Sequence, residues 1–179
     1  MPSTDPIFFD TDGVSAFLWV NEESLLCKLC PGRIVIPFPV YIELSNPCIQ
    51  HLKRRIDLLV NNNLATLRKL DIGTSEYSLY REMTISPRKG HAIIGNGEAA
   101  AIALAVQCGG IVASNNLRDV KSYVAEYDLR LFTTGDILKE ALQRGIIDES
   151  TGNEIWSQML GKKRKLGYGS FSQFLAQNQ

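Results

Sequence analysis

The chain has 179 residues, 45% of them apolar, which is enough to fill the core of one ordinary domain without disulfides or structural metals. Nineteen Lys plus Arg balance nineteen Asp plus Glu, which excludes a strongly basic surface overall, so any attraction for nucleic acid has to be local. Met1-Pro-Ser-Thr-Asp5 lacks the basic opening and apolar run of a signal peptide, and no run approaches membrane-spanning length; a cytoplasmic chain with no membrane partner is expected.

Ile7 to Asp10 reads as a short buried strand, and Gly13 to Val20 as a helix with Gly13 or Ser15 near its start. Glu22 to Cys30 forms a second helix, stopped by Pro31-Gly32. Arg33 to Phe38 is a strand with Pro37 and Pro39 marking its exit, and Val40 to Ser45 continues as a helix with Glu43 on its first turns. Residues 48–61 place Ile49, Leu52, Ile56, Leu59 and Val60 at helical spacing, opposite a basic face of Lys53, Arg54 and Arg55.

Leu64 to Ile72 fits a strand, Ser75 to Ile85 a helix, and Ser86 to Gly90 a loop. Ala99 to Val106 is apolar all round and reads as a buried helix behind Gly95-Asn-Gly97 and Glu98. Ile111 to Ser114 is a strand, followed by a helix over 116–126, a strand over 129–133 and helices over 135–144 and 148–160. Strands alternating with helices at this spacing predict an α/β fold with a central parallel sheet in one domain, 1–165. Residues 166–179, rich in Gly, Ser and Gln, read as a partly mobile tail. The cluster Lys162-Lys-Arg-Lys165 before it complements a helix dipole in its simpler reading and contacts phosphate in its functional one.

Four cysteines, at 27, 30, 48 and 108, sit in apolar patterns and are expected as reduced, buried thiols. Cys27-x-x-Cys30 with Cys48-x-x-His51 approximates two zinc-ligand pairs. Ser24 to Cys30 nevertheless reads as a helix end, without the turn a zinc knuckle needs inside its Cys pair. His51 and His91 have no partner pattern and are expected in surface or structural roles.

Chemistry concentrates on acids. Asp10-Thr-Asp12 closes the apolar run Ile7-Phe8-Phe9, where a parallel strand ends and ligands gather in open α/β sheets. Glu43, Glu98, Asn115-Asn116 and Asp119 follow, each beside an expected strand end or helix start. Singly, each acid can be a strand terminator, a helix-dipole complement or a solvated residue. As a series they suggest a site, because clustered acids persist only when protons or a cation compensate their repulsion. Oxygen-only ligation selects hard ions, magnesium or manganese, which can orient a phosphodiester and activate water.

The order Phe9-Asp-Thr-Asp-Gly-Val-Ser-Ala-Phe17, Val40-Tyr-Ile-Glu-Leu44, Gly97-Glu-Ala-Ala-Ala-Ile-Ala-Leu-Ala105 and Ile111-Val-Ala-Ser-Asn-Asn-Leu-Arg-Asp119 resembles the PIN-domain nucleases, including the toxin ribonucleases of VapBC systems. The resemblance runs from about residue 7 to 165, closing on Phe132 to Ile147. It implies a PIN-like three-layer α/β/α fold and a Mg2+- or Mn2+-dependent endoribonuclease that cleaves RNA by water attack. Asp10, Glu43 and Glu98 match the family's metal-site acids, and Asp119 a later acid on the following helix. Asp10, Glu98 and Asp119 are the implied metal ligands, Glu43 a further catalytic acid. Asp12 matches a residue supporting the first acid, and Ser114 a small hydroxyl residue at a strand end. Asn115 and Asn116 depart from the family, where an Asp is usual at one or both positions. A homodimer and an antitoxin protein partner are further implications of the resemblance.

Two rivals stay open. A catalytically degenerate PIN-like module would bind RNA or protein through such faces as Lys53-Arg54-Arg55. A haloacid-dehalogenase-type phosphatase would use Asp10 as nucleophile and Asp12 as general acid, but the later acidic pair is replaced by Asn115-Asn116.

Overall fold

Five short strands, all parallel, form the centre of the computed structural model, which describes residues 4–178. In chain order the elements are β1 (Ile7–Phe9), α1 (Thr11–Trp19), α2 (Glu23–Leu29), β2 (Ile34–Pro37), α3 (Phe38–Leu44), a short 3-10 helix (Pro47–Ile49) and α4 (Gln50–Asn61). There follow β3 (Ala65–Arg68), α5 (Ser75–Ile85), α6 (Asn96–Cys108), β4 (Ile111–Ala113), α7 (Leu117–Glu126), β5 (Arg130–Phe132), α8 (Thr134–Gln143), α9 (Glu149–Gly161) and α10 (Phe171–Gln177).

The strand order is β3-β2-β1-β4-β5. From β1 the chain builds outward to β2 and β3, then crosses back to lay β4 against the other side of β1. Ile7 pairs with Ile34 on one side and Ile111 on the other, while Phe9 pairs with Ala113. The direction of winding therefore reverses between β1 and β4, opening a crevice at their carboxyl ends.

Strand residues alternate between two cores. Ile7, Phe9, Ile34, Ile36, Ile111 and Ala113 pack with α1, α2, α3, α4, α8, α9 and α10. Phe8 and Val112 face the opposite way, toward α6 and buried residues of α5 and α7. This is a three-layer α/β/α sandwich, and it explains why β1 and β4 read as unbroken apolar runs. Helix α6 is the buried helix expected from its alanines, with Ala99 to Ala105 fully enclosed. No helix among the described residues is long and apolar enough to cross a membrane.

Three boundaries differ from expectation for physical reasons. Helix α1 starts at Thr11, because the Asp10 side chain caps it by accepting from Gly13 N at 2.5 Å. Helix α3 starts directly after β2 at Phe38, which moves Glu43 from a first turn to the last. Strand β3 pairs only with β2 and ends at Arg68, leaving Ile72 85% exposed beyond it.

The largest difference is at the carboxyl end. Residues 166–178, set apart as a tail by composition, carry α10, whose Phe171 and Phe174 are buried against Trp156 with ring centroids 5.9 and 5.7 Å away. Gly152 and Gly135 make this packing possible, since a Cβ on either would collide with Phe171 or Phe174 respectively. The domain core thus extends past residue 165. The cysteines are all free, as expected, and Cys30 is buried and Cys27 half-buried; Cys48 in the turn before α4 and Cys108 at the end of α6 are exposed, where buried thiols were expected.

Candidate functional site

Asp10 and Ser114 end the two central strands and meet at the crevice between them. Gly13 lets α1 begin hard against β4, because a Cβ there would stand 2.5 Å from the Ala113 carbonyl oxygen. The Asp10 carboxylate is fully buried; Oδ1 accepts from Gly13 N and Oδ2 from the Ser114 hydroxyl. Burial pushes its pKa from 3.8 up to about 7, the two hydrogen bonds oppose that, and the charges of Glu98 and Asp12 add to it. Ser114 Oγ in turn accepts from Asn116 N at 3.1 Å, tying the start of α7 to the same point.

Glu43 reaches the crevice from α3. Its Oε2 accepts from Thr11 Oγ1 and its Oε1 from Gly97 N at 3.1 Å, so this carboxylate satisfies an otherwise unpaired amide at the start of α6. Gly97 permits the approach, since a Cβ would lie 2.7 Å from Thr11 Oγ1 and 3.2 Å from Glu43 Oε2. Although Glu43 stands exposed at the rim, desolvation raises its pKa; Thr11 opposes this and the Glu98 charge reinforces it. Glu98, one residue on from Gly97, is half-buried in the first turn of α6.

The adjacent asparagines have different tasks. Asn115 is spent on the start of α8: its Oδ1 accepts from Thr134 N at 2.9 Å and its Nδ2 donates to Thr134 Oγ1 at 2.8 Å. Asn116 turns toward the acids instead. Its Nδ2 donates to Glu98 Oε1 at 3.1 Å and to Asp119 Oδ2 at 2.8 Å, so one amide group bridges two carboxylates. Asp119 lies in the first turn of α7, with Arg118 Nε 3.7 Å from its other oxygen.

Asp12 does not touch Asp10. It is exposed at the crevice mouth, 3.9 Å from Arg164 Nη1, and the support expected from it is given by Ser114 and Gly13. The basic cluster does more than end α9. Lys163 takes a left-handed conformation (φ 59°), and Lys163, Arg164 and Lys165 line a cleft of about 280 Å³ whose opposite wall is Asp12, Asn115 and Asn116. A basic turn thereby faces the acidic crevice. The basic face of α4 is less available: Lys53 pairs with Asp57 at 2.7 Å and Arg55 with Glu23 at 2.5 Å.

Among the described residues, no three His, Cys, Asp or Glu side chains are arranged as a metal-binding group. The donor chemistry of the crevice nevertheless fits a hard divalent cation. Asp10 and Glu43 both feel repulsion from Glu98 and Asp12, and the only ion pairs reaching these acids or Asp119 among the described residues are those of Arg164 and Arg118. Neutral donors hold the carboxylates instead, and Asn116 sits where Glu98 and Asp119 approach each other. The histidines have ring partners: His51 is edge-on to Trp19, and His91 stacks on Tyr123 beside Glu126.

Sequence reasoning missed Thr11, Gly97, Thr134 and the placing of Lys163 to Lys165. For Thr11 a signal existed in its position between two acids. For the others the signal lies in contacts across the fold. In comparisons with models of protein families and with curated proteins, the chain matches none.

Proposed function

We propose that the chain is a PIN-like, Mg2+- or Mn2+-dependent endoribonuclease acting at the crevice between β1 and β4. The observation that carries this reading is the gathering of Asp10, Glu43, Glu98 and Asp119 at the switch point of a parallel sheet, facing Lys163, Arg164 and Lys165 across an open cleft. Asp10, Glu98 and Asp119 would hold the ion. When bound, it supplies orientation of the phosphodiester, a more acidic water and charge neutralisation at phosphorus.

The chain's own residues do the rest. Ser114 fixes the Asp10 rotamer, and Glu43 braces the start of α6 so that Glu98 points into the crevice. The basic turn attracts RNA phosphates that the acids alone would repel. A cation can share an oxygen with Ser114, since each carboxylate oxygen carries a second lone pair.

A second reading, a PIN-like RNA-binding module without turnover, draws on one observation: Asn116 gives Glu98 and Asp119 a shared neutral donor where the nuclease reading needs a cation. The two part in one experiment. Structured and unstructured RNA is incubated with wild type, Asp10→Asn and Glu98→Gln, with and without manganese. Metal-dependent cleavage by wild type that both substitutions abolish in folded protein supports the nuclease; RNA binding with no cleavage in any condition supports the module.

A further inference from the structure

The carboxyl edge of the sheet continues past Glu43 into a second groove, of about 450 Å³, on the side away from the basic turn. Phe38 follows the last residue of β2, Lys69 follows the last residue of β3, and Tyr77, Tyr80 and Arg81 face them from α5. The three rings are half-buried, while Lys69 and Arg81 are exposed. Lys69 Nζ lies 5.7 Å over the Phe38 ring, and the Tyr77 and Tyr80 centroids are 6.2 Å apart. Asp71 is also in the lining, so two cations against one acid leave it net basic.

This groove is physically joined to the acids. Tyr80 OH donates to Asn96 Oδ1 at 3.0 Å; Asn96 opens α6, whose next residue gives its amide to Glu43. Rings presented at a surface beside cations are what unpaired bases and their phosphates use, the bases stacking and the cations tracking the backbone. A plug between α3 and α5 would account for the rings. It would account for Lys69, which sits over the Phe38 ring, but not for Arg81 on the same opening, which forms no ion pair among the described residues.

We propose that this groove holds unpaired bases of an RNA strand, stacked on Phe38, Tyr77 and Tyr80 with flanking phosphates at Lys69 and Arg81. The strand then crosses the acids and leaves over Lys163 to Lys165. The assignment of RNA rests on the nuclease reading; the stacking groove has its own test.

That test is fluorescence anisotropy of a short 5′-labelled oligoadenylate RNA in EDTA, where metal-dependent cleavage cannot intervene. Tyr80→Leu should bind about tenfold more weakly, as loss of one base–aromatic stack does. Tyr80→Phe, which keeps the ring and gives up the bond to Asn96, should bind like wild type and guards against a folding artefact. Lys69→Ala with Arg81→Ala should flatten the slope of log affinity against log salt by about 1.4, two phosphate contacts on a single strand. An unlabelled duplex should compete poorly. Unchanged affinity in Tyr80→Leu together with an unchanged salt slope overturns the groove, as does absence of saturable binding by wild type. Cleavage of RNA by wild type in manganese would survive that failure; the expected binding losses without any cleavage would keep the groove and remove the nuclease.

Discussion

Ser114 donates a hydrogen bond to Asp10 across 104 residues of chain, at the bottom of a crevice where the Asp10 carboxyl is held near pKa 7. Folded protein therefore keeps a proton on Asp10 that the unfolded chain releases near pH 3.8. Stability tied to this proton is complete below that value and is lost as pH rises toward and through 7. Wild type without metal should melt higher at pH 5 than at pH 8, and Asp10→Asn should flatten the profile. At pH 8 the variant should melt higher by on the order of 5 °C. Parallel pH profiles for the two proteins would sink the idea.

Manganese should reverse that ranking. Binding to the folded state raises the melting temperature with the logarithm of ligand excess over its dissociation constant. Thermal melts at pH 8 with increasing manganese are expected to climb for wild type and stay flat for Asp10→Asn. Equal climbs would place the ion elsewhere.

Replacing the bridge by a carboxylate, Asn116→Asp, removes the donor shared by Glu98 and Asp119 and adds a third negative charge beside them. Without metal the variant should be less stable than wild type by about 1–3 kcal/mol, the cost of unpaired and repelling polar groups. With manganese it should bind the ion at least tenfold more tightly in calorimetric titration. A variant with unchanged metal affinity would count against Asn116 as the limiting feature of the crevice.

Asn115 has a structural task, and its loss should read differently. Asn115→Ala strands the Thr134 amide and hydroxyl in a buried position, at about 1–3 kcal/mol. Urea denaturation should show that loss while manganese affinity stays within about twofold, far below the tenfold step that 1.4 kcal/mol represents.

The carboxyl-terminal helix belongs to the core, so Phe174→Ala should cost about 3–5 kcal/mol in urea denaturation. Truncation after Lys165, which also removes Phe171, should leave Trp156 exposed to quenchers. Native-like melting of the truncated chain would refute this packing.

What could be read without the fold was whatever is local in the chain. An apolar run closed by acids located β1, an apolar run closed by Ser114-Asn115-Asn116 located β4, and the start of α6 was legible from Gly95-Asn-Gly97 ahead of the alanines. The same locality brought Asp10 to a strand end and Glu98 and Asp119 to helix starts, whereas Glu43, expected on the first turns of α3, lies on its last. Asn115 and Asn116 show where it stops: identical side chains, one residue apart, are sent to Thr134 and to the acids by the turn of the backbone alone. Phe171 and Phe174 were hidden for a related reason. They sit in a Gly-, Ser- and Gln-rich context, and the residues that make room for them, Gly135 and Gly152, are on other helices.

The register that pairs Phe9 with Ala113 also sets a timetable. Strands that pair across so long a segment must wait for everything between them to be made, and pairings this distant form slowly. As the protein emerges from a ribosome, Ser114 follows Asp10 by 104 residues, with Asn116 and Asp119 close behind it. A crevice that needs both Asp10 and the group Ser114, Asn116 and Asp119 is thus incomplete until the second group has been synthesised and has reached the first.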